Sequence, residues 1–346
     1  MKVSTLTFDL PETLNATCPP ERRGIRRDHV RLMVLDKVEG QTKHDQFYHL
    51  GEYLKAGDLI VLNSSRTLPA ELLATLNPVK GEKNSRKVTL RLAHQIGEDT
   101  WEVFPQNGEM ELGDHLYFSE SLEAYVRSLD SRPFVTLQFS KQNAELFGEI
   151  YKIGEPIRYE YISVPWELDY YQTVYASEPG SVEMPSAGRA FSWELLFDLQ
   201  RRGIKLAFLQ LHTGLSDLAD NEWQLTPRDM KESFHIPSET IESIKETKAH
   251  GGRIIAVGTT VVRAVETAFD ASCQLLSGSG WTNLYINSET SLKVIDGLLT
   301  GFHEPEASHL DLLTAFIDKI QLFKAYQEAI DFGYLWHEFG DINLIL

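Results

Sequence analysis

The chain has 346 residues, 42% hydrophobic and 24% charged, an ordinary globular composition with room for two domains. No apolar run reaches the roughly 18 residues of a membrane span, and the opening Met-Lys-Val-Ser-Thr-Leu-Thr-Phe-Asp-Leu lacks a signal-peptide core, so no membrane partner and a cytoplasmic location are expected. A net charge of −17 argues against general affinity for nucleic acid, because phosphate neutralisation needs clustered cations. Two cysteines, Cys18 and Cys273, are too few for a disulfide framework or a thiolate metal site and read as incidental thiols.

In chain order, the first notable segment is basic: Arg22, Arg23, Arg26, Arg27 and Arg31 lie within ten residues. Two readings stand, a solvated loop with structural ion pairs or a local phosphate-binding patch. His29 to Leu35 alternates as a strand does, Gln46 to Lys55 has helical spacing, and Asp58 to Leu62 is a buried strand. From Glu71 to Phe139 six short strand-like runs follow (71–76, 87–93, 101–104, 115–118, 122–126 and 134–139), the spacing of a small barrel or sandwich. Helices are then expected over Ser192 to Arg202, from a Ser238 cap to Lys248, over Thr260 to Phe269 and, as one long element, over His309 to Ala329. Strands are expected at Ile204 to Leu211, Arg253 to Val257, Trp281 to Ile286 and Leu292 to Ile295. The predicted fold class is α/β: a mostly parallel sheet with helices on both faces over 1–67 and 151–346, and an inserted small β-barrel over 68–150.

Ligands of such sheets collect beyond the carboxyl ends of strands. Three segments there carry usable chemistry: Leu211-His212-Thr213-Gly214, Gly258-Thr259-Thr260, and Thr300-Gly301-Phe302-His303. Gly258 permits a tight turn, Thr259 and Thr260 open a helix whose free amides suit an anion, and Arg263 follows one turn on. His212 and His303 are the acid/base candidates, since imidazole titrates near working pH, although a histidine so placed is more often a structural hydrogen-bonder. No HExxH, CxxC or clustered ligand set is present, so no metal is expected, and neither a Walker loop nor GxGxxG occurs.

The motifs, taken together, resemble those of the S-adenosylmethionine:tRNA ribosyltransferase-isomerases of queuosine biosynthesis. FDLPE at 8–12, RLMVLD at 31–36, GDLIVLNSSRTLPAEL at 57–72, YQTVYA at 171–176, EMPSAGRAFS at 183–192, LHTGL at 211–215, AVGTTVVRAVE at 256–266, SGWTNLYI at 279–286, TGFHEPEAS at 300–308 and FGDINLI at 339–345 follow in that family's order. The resemblance implies transfer and isomerisation of the ribosyl group of S-adenosylmethionine, the co-substrate, onto 7-aminomethyl-7-deazaguanine in tRNA, giving epoxyqueuosine-tRNA, without a metal. It implies a cleft formed by Gly258, Thr259, Thr260, Arg263, Tyr171, Gln172, Pro185, Ala187, Gly188 and Gly214, with His212, His303 and Glu266 as catalytic candidates and tRNA as partner; contact through the arginine segment is an expectation from local charge alone. It carries no oligomeric state.

The chain also departs from the family pattern. In the Pro-Thr-Ala-Gly-Leu-His-Phe block the histidine is Ala190, and the block here opens on Glu183. The His-x-Met-His-Ser-Glu block reads Arg228-Asp229-Met230-Lys231-Glu232-Ser233, the arginine of Pro-Ala-Arg is Glu71, and Tyr-Arg-Phe-Phe-Ser-Tyr-Gly-Asp becomes Tyr334-Leu335-Trp336-His337-Glu338-Phe339-Gly340-Asp341. Imidazoles have given way to fixed charges. Besides the family reaction, the residues therefore admit a paralogue that uses S-adenosylmethionine or another nucleoside with a different acceptor, and a non-catalytic binding protein of the same fold.

Overall fold

The computed structural model describes residues 7–79, 84–215, 231–270 and 272–346. Arg228, Asp229 and Met230 of the altered histidine block lie outside them. Nine strands form one sheet, in the order Ser279–Thr282, Glu232–His235, Lys205–Leu211, Leu59–Asn63, Ile254–Val257, Gly297–Gly301, Ile342–Ile345, Arg31–Leu35 and Thr42–Gln46. The four from Lys205–Leu211 to Gly297–Gly301 run parallel. Ile342–Ile345 then lies antiparallel to Gly297–Gly301, and both edges are closed by antiparallel neighbours. The sheet is thus mixed rather than mostly parallel: the C-terminal strand, reached through the helices Ser308–Leu313 and Lys319–Asp331, enters antiparallel to Gly297–Gly301, and the outermost strands are antiparallel as well.

Alternate residues of the central strands feed two cores, one on each face. Leu59, Val61, Ala207 and Leu209 pack with the helices Ser238–Ala249, Thr259–Ala268 and Lys319–Asp331. Ile60, Leu62, Ile255 and Val257 pack with the helix Trp193–Arg201. The other unit is a closed six-stranded antiparallel barrel of Glu71–Asn77, Arg86–Gln95, Thr100–Pro105, His115–Ser119, Leu122–Ser128 and Val135–Phe139. Each corresponds to one of the six expected runs, and inward residues such as Leu72, Leu90, Trp101, Leu116 and Leu137 are wholly buried. The helix Asn143–Ile153, absent from the sequence reading, covers this core with Leu146 and Ile150.

Several elements differ from expectation, each for a local reason. Gln46 to Lys55 ends a strand and continues as a 3₁₀ helix, Phe47–Glu52; Phe47 and Leu50, three apart, suit the tighter period as well. The long helix expected from His309 is two, Ser308–Leu313 and Lys319–Asp331, because the Asp318 carboxylate accepts from the amides of Ile320 and Gln321 and starts the second afresh. Ser238 is the first helical residue, and the cap position is Pro237. The strand at Trp281 stops at Thr282, whose hydroxyl accepts from the Leu284 amide. Leu292 to Ile295 is no strand: the amides of Lys293, Val294 and Ile295 donate to the Glu266 carboxylate.

Asp58 fixes the start of two central strands. It is 3% exposed, accepts from the amides of Lys55 and Arg253, and binds the Arg253 guanidinium at 2.6 Å, which holds its carboxyl below the usual carboxylate range despite burial. Asp58→Ala leaves that guanidinium and two amides without their acceptor, and urea unfolding is expected to show a loss of about 3 kcal/mol.

Candidate active site

A cleft of about 730 Å³ opens beyond the carboxyl ends of the parallel strands. Its walls come from the ends of three strands (Thr213 to Leu215, Val257 to Thr260, Thr300 to His303), from the Val182 to Ala187 segment, from the barrel side through His94 and Ile157, and from the C-terminal His337 and Glu338. Gly258 has φ +89°, a conformation other residues adopt with strain, and it turns the chain directly into the ten-residue helix Thr259–Ala268. Thr259 and Thr260, in the first turn of that helix, line the cleft with Arg263, whose Nη1 is ion-paired to Glu232.

Of the residues singled out from sequence, Gly258, Thr259, Thr260, Arg263, Tyr171, Pro185, Ala187, Gly214 and His303 line this one cavity. Gln172, Gly188, His212 and Glu266 lie behind its walls. The Gln172 amide clamps Thr67 by bonds to its N–H and C=O (3.0 and 2.8 Å). Gly188 sits so close to Tyr175 that a β-carbon would fall 2.1 Å from the phenol oxygen. His212 bonds Ser65 Oγ through Nδ1 at 2.7 Å beneath Gly180. Glu266, 2% exposed, holds the 293–295 backbone. The five arginines all engage their own chain. Arg22 stacks over Trp166 and Tyr170, Arg23 donates to the Phe339 carbonyl, Arg26 pairs with Asp28, Arg27 with Glu21, and Arg31 covers Tyr334 and donates to the Phe332 carbonyl. Arg22 and Arg26 remain exposed.

Around His303 the cleft holds further acid/base groups, His309, His337 and Glu338, that the sequence did not single out. His303 binds Thr300 Oγ1 at 2.9 Å and stacks on His309 at 4.9 Å. Burial, with the neighbouring His309 and His337, pushes His303 well below the usual imidazole range. Burial brings His309 to about 4, with Arg263 adding to the effect, and burial brings His337 to about 4 as well. These rings are neutral at working pH. Glu338 moves the other way, up to about 7, through burial and the charges of Glu183 and Glu304, against a hydrogen bond from the Tyr161 hydroxyl. The signal for Glu338 was present in the sequence: an acid stands between aromatic residues where the resembling block has serine. Five carboxylates (Glu183, Glu232, Glu304, Glu306 and Glu338) face one arginine among the described residues lining the cleft. Such a site favours a cation. No group of three or more His, Cys, Asp or Glu suited to a metal occurs among the described residues.

A family model described as queuosine biosynthesis protein matches residues 3–345. The chain belongs to that family. Relatives called S-adenosylmethionine:tRNA ribosyltransferase-isomerase from Thermoanaerobacter sp. strain X514 and from Caldanaerobacter subterraneus subsp. tengcongensis are 35% and 36% identical over 351 residues, with both chains covered in full. The crystal structure of S-adenosylmethionine tRNA ribosyltransferase from Thermotoga maritima is 30% identical, covers 99% of each chain and superposes with a TM-score of 0.55. The queuosine family's shared blocks therefore run the length of this chain, and the structure gathers parts of seven of them, at 67, 171, 183–187, 213–215, 257–263, 284–286 and 300–308, around one cavity.

The buried imidazoles make stability depend on pH in a defined direction. His212, His309 and His337 each titrate near 4 in the folded protein and near 6.5 when exposed. Between those values the unfolded chain binds more protons, so acidification from pH 6.5 to 4 is expected to lower stability by up to about 1.4 kcal/mol per pH unit for each group, and Tm with it. Glu338, raised when folded, opposes this between about 7 and 4.5 with one proton against three. His212→Asn is expected to flatten the slope in thermal melts at a series of pH values.

Proposed function

We propose that the protein transfers and isomerises the ribosyl group of S-adenosylmethionine onto 7-aminomethyl-7-deazaguanine in tRNA, giving epoxyqueuosine-tRNA, in the cytoplasm and without a metal. What supports this reading most is the convergence of Thr259, Thr260, Arg263, Tyr171, Pro185, Ala187, Gly214 and His303 on one cleft in a chain whose relatives bear that name. The amides at the Thr259 helix start and the five-donor guanidinium of Arg263 suit the methionine carboxylate. The carboxylate-rich walls suit the two cations of the reaction, the sulfonium and the protonated aminomethyl group. The cleft walls shield the carbanion formed at ribose C5′ from bulk water. We assign His212, Gln172, Gly188 and Glu266 to holding the walls, and we read 68–150 as an inserted barrel unit in an α/β unit of 1–67 and 151–346, because the barrel strands all lie between Glu71 and Phe139.

One observation favours a second reading, a paralogue with a different acceptor: the arginine segment is engaged within the chain and the cleft is acidic. For tRNA, Arg22 and Arg26 are the members exposed for phosphate contact. Adenine release from S-adenosylmethionine separates the readings. On the first, release requires tRNA bearing the 7-aminomethyl base, and Arg263→Ala lowers kcat/KM roughly 10–100-fold, the worth of a charge-assisted contact. Release without tRNA identifies the paralogue; no release from folded protein that binds S-adenosylmethionine rejects both.

A further inference from the structure

One part of the cleft has no role in the reading above. The Tyr161 hydroxyl donates to Oε2 of Glu338, and both residues line the cavity. The Tyr161 ring stacks with His337 at 4.1 Å and 17° and with Tyr159 at 5.8 Å and 5°. His337 is itself fixed, by Asn15 Oδ1 at 3.0 Å and Glu304 at 3.4 Å. Tyr171 lines the same cavity, backed by Phe339 at 5.3 Å. It is 3% exposed, and its hydroxyl is enclosed with no hydrogen-bond partner. A buried hydroxyl without a partner is costly, and in a cleft wall it points to a ligand atom that completes it. The neighbourhood therefore offers flat aromatic walls, one unmet hydroxyl and one carboxyl. That combination suits a planar nitrogen heterocycle that must receive a proton.

We propose that Glu338 is the general acid that protonates the departing purine of S-adenosylmethionine, with Tyr161 and Tyr171 framing the purine's seat. The inference rests on the proposed function, in which adenine leaves the ribosyl group. In that step the bond between ribose C1′ and the purine nitrogen breaks, and its electron pair leaves with the base. The Glu338 carboxyl proton passes to a purine nitrogen, and neutral adenine departs. The pair left at C5′ by proton abstraction forms a C4′=C5′ double bond as the ring C4′–O bond breaks, the freed oxygen pair closes a C1′=O bond as the base leaves, and the Glu338 carboxylate regains a proton from water at the cleft mouth.

Glu338 can hold that proton at working pH because burial and the charges of Glu183 and Glu304 raise it to about 7, while the Tyr161 hydrogen bond acts in the opposite sense. Tyr171 is the other titratable neighbour, raised by burial and by the Glu338 charge. An acid poised near the working pH is efficient in both the protonated and the recharging half of the cycle. The histidines missing at Ala190, Arg228 and Lys231 remove three proton donors that the resembling blocks supply, and Glu338 stands where the C-terminal block has serine.

The test is the pH dependence of adenine release by the full-length protein with S-adenosylmethionine and 7-aminomethyl-base tRNA. Wild type is expected to lose kcat tenfold per pH unit above about 7, as the acid form is depleted. Glu338→Gln is expected to lower kcat at least about 100-fold, to bind S-adenosylmethionine within about threefold of wild type by calorimetry, and to show no limb near 7. Tyr161→Phe removes the bond that favours the carboxylate, so its limb moves to higher pH, which tests the inference even where Glu338→Gln fails to fold. Full kcat in Glu338→Gln overturns the inference and leaves the proposed function standing, as does a limb unmoved in Tyr161→Phe or a Glu338-dependent rate that rises through pH 7, the mark of a carboxylate holding an ammonium. Absence of release in wild type rejects both together.

Discussion

The chain leaves the central sheet at Asn63 to build the barrel and returns beside the same point at Ser181, and the position of every cleft wall depends on the buried polar bonds at that crossing. The Asn63 side chain binds both the amide and the carbonyl of Leu211. Ser64 donates twice to the Leu209 carbonyl, through N–H and hydroxyl. Ser65 Oγ sits between Ser181 Oγ at 2.6 Å and His212 Nδ1 at 2.7 Å, and the Gln172 amide clamps Thr67. Asn63, Ser65 and Ser181 are at most 2% exposed, so each bond is made where an unmet partner would be most costly. The barrel therefore has a fixed seat on the sheet, and His94 and Ile157 face the strand ends from across the cleft as a result.

This crossing also explains why residues within strongly family-like blocks divide between wall and cavity. Tyr171 and Gln172 are neighbours in YQTVYA, yet one faces the cleft and the other holds Thr67. His212 and Gly214 divide the same way in LHTGL, with His212 under Gly180 and Gly214 pressed against His94, where a β-carbon would lie 2.3 Å from the ring nitrogen. Glu266, one helical turn beyond Arg263, faces inward to the 293–295 backbone while Arg263 faces the cavity. A motif records what a segment needs to fold as well as what it does, and spacing alone does not separate the two.

The fold was legible wherever periodicity and burial agree. Six alternating runs gave six barrel strands, and Ile204 to Leu211 and Arg253 to Val257 gave central strands. It was not legible where a single side chain decided the backbone. Asp318 divides one apolar pattern into two helices, and Glu266 takes the three amides that would have made Leu292 to Ile295 a strand. The antiparallel return of Ile342–Ile345, which makes the sheet mixed, is a tertiary pairing with no local signature. Among site residues, strand-end position found Thr259, Thr260 and His303. It missed Glu338, because a glutamate's usefulness comes from its surroundings and those assemble from Tyr161, Glu183 and Glu304, far apart in sequence.

Those surroundings bear on how one scaffold tolerates exchanged acid/base groups. Neutral imidazoles and protonated carboxyls are alternative ways to keep a proton available near pH 7, and each depends on the local field. Here burial drives His303, His309 and His337 below the useful range, and an additional positive neighbour, Arg263, adds to the effect at His309. The same burial, joined to the negative charges of Glu183 and Glu304, brings a carboxyl into it. Desolvation disfavours the charged form in both cases, so it weakens a histidine as a proton carrier at neutral pH and strengthens a glutamate. Burial thereby shifts the choice of proton carrier from imidazole to carboxyl, and the negative charges of Glu183 and Glu304 raise the carboxyl further.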